Sequence, residues 1–126
     1  MATPWWIPFG RVAELGPDEL SAALAGRQAP QLLDVRTPAE FAAGHLPGAR
    51  NLPITSLAAG LAAAGLDPGR PVVAICLTAH RSIPAVRLLR SHGYDARQLA
   101  GGMLAWRRRG LAELRGPASP EPPPAG

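Results

Sequence analysis

Short apolar runs alternate along the chain with segments whose apolar residues recur every three or four positions, and turn residues separate the two patterns. Gly16-Pro17-Asp18-Glu19 predicts a helix start, with proline and two acids in the first turn. Leu20 and Leu24 follow four residues apart, and Gly26 predicts the stop. Gln31-Leu32-Leu33-Asp34-Val35 is largely apolar and predicts a buried parallel strand that delivers Asp34 to its carboxyl end. Thr37-Pro38-Ala39-Glu40 then predicts a helix capped by Thr37, with Glu40 reaching back to the cap.

His45-Leu46-Pro47-Gly48-Ala49 breaks that helix and turns the chain into a short strand around Ala49 to Leu52. A helix is expected from Thr55 or Ser56 to Ala64, with its stop at Gly65. Pro71-Val72-Val73-Ala74-Ile75 is the strongest strand signal, and it places Cys76 at its carboxyl end. From Arg81 the spacing of Ile83, Val86, Leu88 and Leu89 is helical, and His92-Gly93 supplies a stop. A last strand near Ala96 to Leu99 leads through Gly101-Gly102 into a helix from Met103 to Arg109. Strands alternating with helices predict an α/β fold whose central sheet is mainly parallel and flanked by helices.

Composition fits this plan. A chain of 126 residues, 47% apolar and 17% charged, has the size and character of one soluble domain. The folded unit is expected over 11–115, with an extension over 1–10 and a proline-rich disordered tail over 116–126. The net charge of +4 comes from thirteen arginines and no lysine. They are scattered apart from Arg107-Arg108-Arg109, which reads as a solvated helix face rather than a nucleic-acid patch. Neither a secretory signal nor a membrane-spanning run is present, so a cytoplasmic location is the expectation. One cysteine allows no internal disulfide, and no metal spacing is visible. That lone thiol is either a buried core residue or a reactive group.

The loop after it favours reactivity. In open α/β sheets ligands bind beyond the carboxyl ends of the strands, where the next helix points free N–H groups and its positive end. Cys76-Leu77-Thr78-Ala79-His80-Arg81-Ser82 occupies that position. The field there, with Arg81 and His80 nearby, favours thiolate over thiol and welcomes an anion.

Three separated motifs carry a resemblance to a known family. Leu33-Asp34-Val35-Arg36, Glu40-Phe41 and the run Gly44-His45-Leu46-Pro47-Gly48-Ala49-Arg50-Asn51-Leu52-Pro53 are similar to the upstream signature of rhodanese-like domains, and Gly101-Gly102 with Trp106 resembles their C-terminal signature. The resemblance runs from about Val12 to Leu111 and implies the three-layer rhodanese-like fold. In that family the cysteine opens a six-residue active-site loop, and four residues separate Cys76 from Arg81. Related tyrosine phosphatases have five; Ser82 stands where they would need arginine. A cradle of successive N–H groups this small suits the outer sulfur of a persulfide better than a tetrahedral phosphate.

The resemblance therefore implies a sulfurtransferase with Cys76 as nucleophile, Leu77 to Ser82 as the substrate and persulfide loop, and no metal or organic cofactor. Donors would be thiosulfate or a persulfide; acceptors would be cyanide, a thiol or a sulfur-carrier protein, with no nucleic acid or membrane involved. Leu77 and Ala79 depart from the arginine and glycine common at those positions, which weakens the expectation for thiosulfate and strengthens it for a protein persulfide donor. Two other readings remain: a noncatalytic rhodanese-like binding module, and a cysteine-dependent phosphatase or arsenate reductase, which the loop length disfavours. Arg81 reads equally as an anion binder or a loop-closing ion pair. His80 has a supporting role, steering a donor or relaying a proton, or else faces solvent. Asp34, Arg36 and Glu40 read as an ion-pair and capping network, and His45 as a residue holding backbone groups together. Trp106 is expected in the core, and Trp5 and Trp6 against the domain or a partner.

Overall fold

In a computed structural model describing residues 4–7 and 10–117, five strands form one parallel sheet in the order β1-β5-β4-β2-β3. The strands are β1 Glu14–Leu15, β2 Gln31–Asp34, β3 Arg50–Asn51, β4 Val72–Ile75 and β5 Ala96–Leu99. The helices are α1 Pro17–Leu24, α2 Pro38–Ala43, α3 Ile54–Gly60, α4 Ser82–Ser91 and α5 Gly102–Arg108, with a short 3₁₀ turn at Ala62–Ala64. β4 lies at the centre, paired with β2 from Gln31↔Val72 to Asp34↔Ile75 and with β5 from Val72↔Ala96 to Ala74↔Gln98.

Alternation along β4 divides the interior in two. Val72, Ala74 and Cys76 point into one core with Leu57 and Leu61 near α3 and Ala85, Val86 and Leu89 from α4. Val73 and Ile75 point into the other, with Leu20 from α1 and Met103 and Trp106 from α5. Helices thus cover both faces of the sheet, which is the three-layer arrangement expected.

The differences are local. β1 carries no periodicity because it is two residues long, and only its pairing of Glu14 with Gln98 and Leu15 with Leu99 identifies it. β2 stops at Asp34, although the Val35 N–H still donates to the Ile75 carbonyl at 2.9 Å. The helix expected to run to Ala64 begins at Ile54 and tightens after Gly60, ending where Gly65 takes a left-handed φ of +71°. Trp106 is buried as expected, and its indole N–H donates to the Ala112 carbonyl at 3.0 Å. Trp5 packs against the α3/α4 core, whereas Trp6 is exposed. Arg107 pairs with Glu113 and Arg109 with Asp18, as suits a solvated helix face. From residue 118 onward the proline-rich tail lies outside the described residues, as do parts of 1–10. Among the described residues no helix is long and apolar enough to cross a membrane.

Candidate active site

The β4 strand ends one residue before Cys76, and the chain needs only the loop from Cys76 to Arg81 to reach α4. The thiol is 1% exposed. Its Sγ accepts the Ala79 N–H at 2.9 Å and lies 3.6 Å from the Ser82 hydroxyl. Ala79 reaches that position with φ +84°, the one described non-glycine residue in the left-handed region. An L-residue there costs about 1–2 kcal/mol, and this geometry accounts for the glycine common at that place in similar loops. Leu77 is half-buried, while Thr78 and His80 are exposed.

The α5 end of the fold fixes the outer side of the loop. The Met103 N–H donates to the Cys76 carbonyl at 2.8 Å and the Leu104 N–H to the Leu77 carbonyl at 3.1 Å. Gly102, at φ +61°, lies so near that a Cβ would strike both carbonyl oxygens. With the Cys76 and Leu77 carbonyls drawn toward α5, the Ala79 N–H faces the sulfur.

Arg81 makes two hydrogen bonds to Glu40, Nη1 to Oε1 at 2.6 Å and Nη2 to Oε2 at 2.7 Å. The same carboxylate closes the start of α2, where the Thr37 N–H donates to Glu40 Oε1 and the Glu40 N–H donates to Thr37 Oγ1, both at 3.2 Å. The Arg81 hydrogen bonds, outweighing the effect of burial, hold the Glu40 carboxyl at about 2, well below the usual carboxylate range. Glu40 in turn raises the Arg81 guanidinium above its ordinary value.

Asp34 and Arg36 form a separate, fully buried pair. Arg36 Nε donates to Asp34 Oδ1 at 2.9 Å, and Nη2 donates to Asp34 Oδ2 and the Gly44 carbonyl, each at 2.7 Å. The Asn51 amide ties the Asp34 and Arg36 carbonyls together from β3. His45 stacks on Phe41 with 3.7 Å between ring centroids, and Nδ1 lies 2.8 Å from the Phe41 carbonyl. A carbonyl only accepts, so Nδ1 carries a proton. The His45 backbone also exchanges hydrogen bonds with Leu114.

The expected residues therefore fall into three groups: the loop around Cys76 with Arg81 and Glu40, the buried Asp34–Arg36 pair, and His45 stacked on Phe41 of α2. Two residues behind Ser82, Gln98 and Glu14, escaped sequence reasoning. The Ser82 hydroxyl donates to Gln98 Oε1 at 2.7 Å, and Gln98 Nε2 donates to Glu14 Oε2 at 2.9 Å. The available signal was a glutamine inside a short strand that is otherwise buried apart from Arg97. Among the described residues no group of three or more histidine, cysteine, aspartate or glutamate side chains is arranged to hold a metal. A shallow groove of about 280 Å³ lined by Arg27, Gln28, Gly69, Arg70 and Pro71 lies at the opposite, amino-terminal end of β4 and contains none of the loop.

With this geometry in place, known proteins place the chain. The family model for the rhodanese-like domain matches residues 16–109. The chain belongs to the rhodanese-like domain family. A sulfurtransferase from Allochromatium vinosum is 38% identical to this rhodanese-like chain over 101 residues, covering 79% of this chain and 92% of the relative. An HTH-type transcriptional regulator from Mycobacterium tuberculosis is 45% identical over 82 residues, 64% of this chain but only 35% of the regulator. The solution structure of a polysulfide-sulfur transferase homodimer from Wolinella succinogenes superposes with a TM-score of 0.70 at 33% identity, covering 82% of this chain and 79% of that one.

Proposed function

We propose that this rhodanese-like chain is a sulfurtransferase that carries sulfur as a Cys76 persulfide. The observation that carries the reading is the placement of Cys76: a buried sulfur at the end of the central strand, opening a six-residue loop whose Ala79 N–H points at it. Relatives named as sulfurtransferases support the same reading.

The chemistry is a double displacement. The Cys76 thiolate attacks the outer sulfur of thiosulfate; the new Sγ–S bond forms as the donor's S–S bond breaks, and its electron pair leaves with sulfite. The persulfide anion is held by loop N–H groups and the positive end of α4. An acceptor thiolate or cyanide then attacks the outer sulfur, and the electron pair of the broken Sγ–S bond returns to Cys76. Proteins bearing a persulfide serve as donors in the same way, and Leu77 and Ala79 make them better candidates than thiosulfate. Formation of the persulfide extends a nearly covered sulfur by one S–S bond of about 2.05 Å, which lets a buried cysteine present its cargo. Arg81 acts as the closure of the loop, since Glu40 binds both of its terminal nitrogens. A single unpaired cysteine suits a reducing compartment, and we assign the chemistry to the cytoplasm.

Intact mass before and after exposure to thiosulfate, polysulfide or a protein persulfide tests the proposal. A reductant-reversible gain of about 32 Da is expected in the native protein and not in Cys76→Ser. Sulfur transfer retained by Cys76→Ser, or no gain with any donor, overturns it.

A further inference from the structure

Of the large apolar side chains exposed among the described residues, Leu104 is the one whose backbone is bonded to the Cys76 loop: it is 36% exposed, and its N–H donates to the Leu77 carbonyl. Met103 and Trp106 fill the inner face of α5. Arg108 stands four residues beyond Leu104, on the same outer face and about 6 Å further along the axis. Glu113 takes up Arg107 and Asp18 takes up Arg109, which leaves Arg108 exposed and without an ion pair among the described residues. The loop itself offers little available charge. Glu40 holds both terminal nitrogens of Arg81, Leu77 is half-buried, Thr78 is exposed, and the remaining ionisable group besides Cys76 is exposed His80.

A sulfur that is 1% exposed is reached only by a donor pressed against this rim. A small dianion finds no unpaired arginine in the loop. An apolar side chain beside a donor cysteine finds Leu77 and Leu104, and a carboxylate further out finds Arg108. Residues two apart in an extended segment share a side and stand about 6–7 Å apart, close to the spacing from Leu104 to Arg108. The net charge of +4 favours the approach of the same acidic partner. Resting on the assignment of Cys76 as nucleophile, we infer that Leu77, Leu104 and Arg108 form the docking surface for a protein persulfide donor whose cysteine adjoins an apolar residue, with an acidic residue two positions beyond it. The Cys76 thiolate attacks the outer sulfur of the protonated donor persulfide. The new Sγ–S bond forms as the donor's S–S bond breaks, the electron pair leaves on the donor thiolate, and the proton travels with the transferred sulfur.

Two synthetic peptide persulfides test this surface. Each carries one cysteine flanked on both sides by leucine, serine and an outer residue, glutamate in one peptide and lysine in the other, and the mirrored flanks make chain direction immaterial. The rate of sulfur gain at Cys76, read by quenched intact mass, is divided by the rate with inorganic polysulfide in the same variant. The native protein is expected to favour the glutamate peptide by about fivefold. Arg108→Glu is expected to reverse that order, and Leu104→Ser to lower both peptide ratios about tenfold. Both substitutions fall at exposed positions, so the fold does not depend on them. Equal use of the two peptides by the native protein, a preference that survives Arg108→Glu, or peptide ratios unmoved in Leu104→Ser overturns the inference. Self-association that Leu104→Ser abolishes in sedimentation, with peptide ratios unmoved, gives the face to a second copy and overturns it too. NMR titration of isotope-labelled protein with the same peptides carrying serine for cysteine reads docking without sulfur chemistry, and shifts are expected at Leu77, Leu104 and Arg108. No sulfur gain from any donor, with those shifts present, overturns the function and leaves the docking surface, so the two failures are distinguishable.

Discussion

Asp34–Arg36 and Glu40–Arg81 are both carboxylate–guanidinium pairs joined by several hydrogen bonds near neighbouring strand ends, and they differ in where they sit. The side chains of the first are 0% and 2% exposed, those of the second 31% and 34%. Partners two residues apart make the buried pair, whereas the open pair joins α2 to the end of the Cys76 loop across 41 residues of chain. Burial turns the first into a foundation, because removing one member strands a charge without water. Exposure makes the second weak as an anchor, because solvent screens it, yet it aims the end of the loop. Stability and geometry are thus separable contributions here, made by the same two functional groups, a carboxylate and a guanidinium.

The largest expected effect tests the foundation. Arg36→Met leaves Asp34 buried without its cation and the Gly44 carbonyl without its donor, and is expected to lower unfolding free energy by about 3–5 kcal/mol in urea titrations. A loss as small as that of an exposed pair would erase the contrast.

Next in size is the effect of the open pair on rate rather than stability. Glu40→Gln is expected to cost about 1 kcal/mol or less in stability while slowing persulfide formation about tenfold, because the loop loses its tether. Stopped-flow or quenched intact-mass kinetics beside a denaturation curve would measure both. A large stability loss with unchanged rate would reverse the assigned roles.

The smallest effect is a dependence on acid. Glu40 titrates at about 2 in the fold against an ordinary 4.5, so the unfolded chain binds a proton more readily than the native one. The contribution of this pair is therefore complete above about pH 4.5 and is lost as pH falls toward about 2, with no change expected on the alkaline side. The stability difference between native protein and Glu40→Gln should shrink over that acid window; a difference that stays constant would place the interaction elsewhere.

Much of this arrangement was legible in the residues. Thr37-Pro38-Ala39-Glu40 specifies a capped helix because its donors and acceptors lie within one turn, and the structure has those bonds. The β-branched run before Cys76 identifies the central strand, since a strand buried on both faces needs apolar residues throughout. The fate of Arg81 was open between two partners, and its pairing with Glu40 depends on how α2 docks beside the loop. β1 was hidden because two residues carry no period, and with it went the contact between Glu14 and Gln98.

Local chemistry determined the order of elements after β1, the Thr37 cap of α2, the parallel sheet and the position of the single cysteine at a strand end. Those features depend on contacts between near neighbours or on hydrophobic periodicity, both written directly in the chain. Tertiary structure alone decided which carboxylate meets Arg81, that Met103 and Leu104 hold the loop carbonyls, and that the Ser82 hydroxyl donates to Gln98. Hydrogen bonds are short and directional, so partners far apart in sequence acquire their roles only when the sheet brings them within reach.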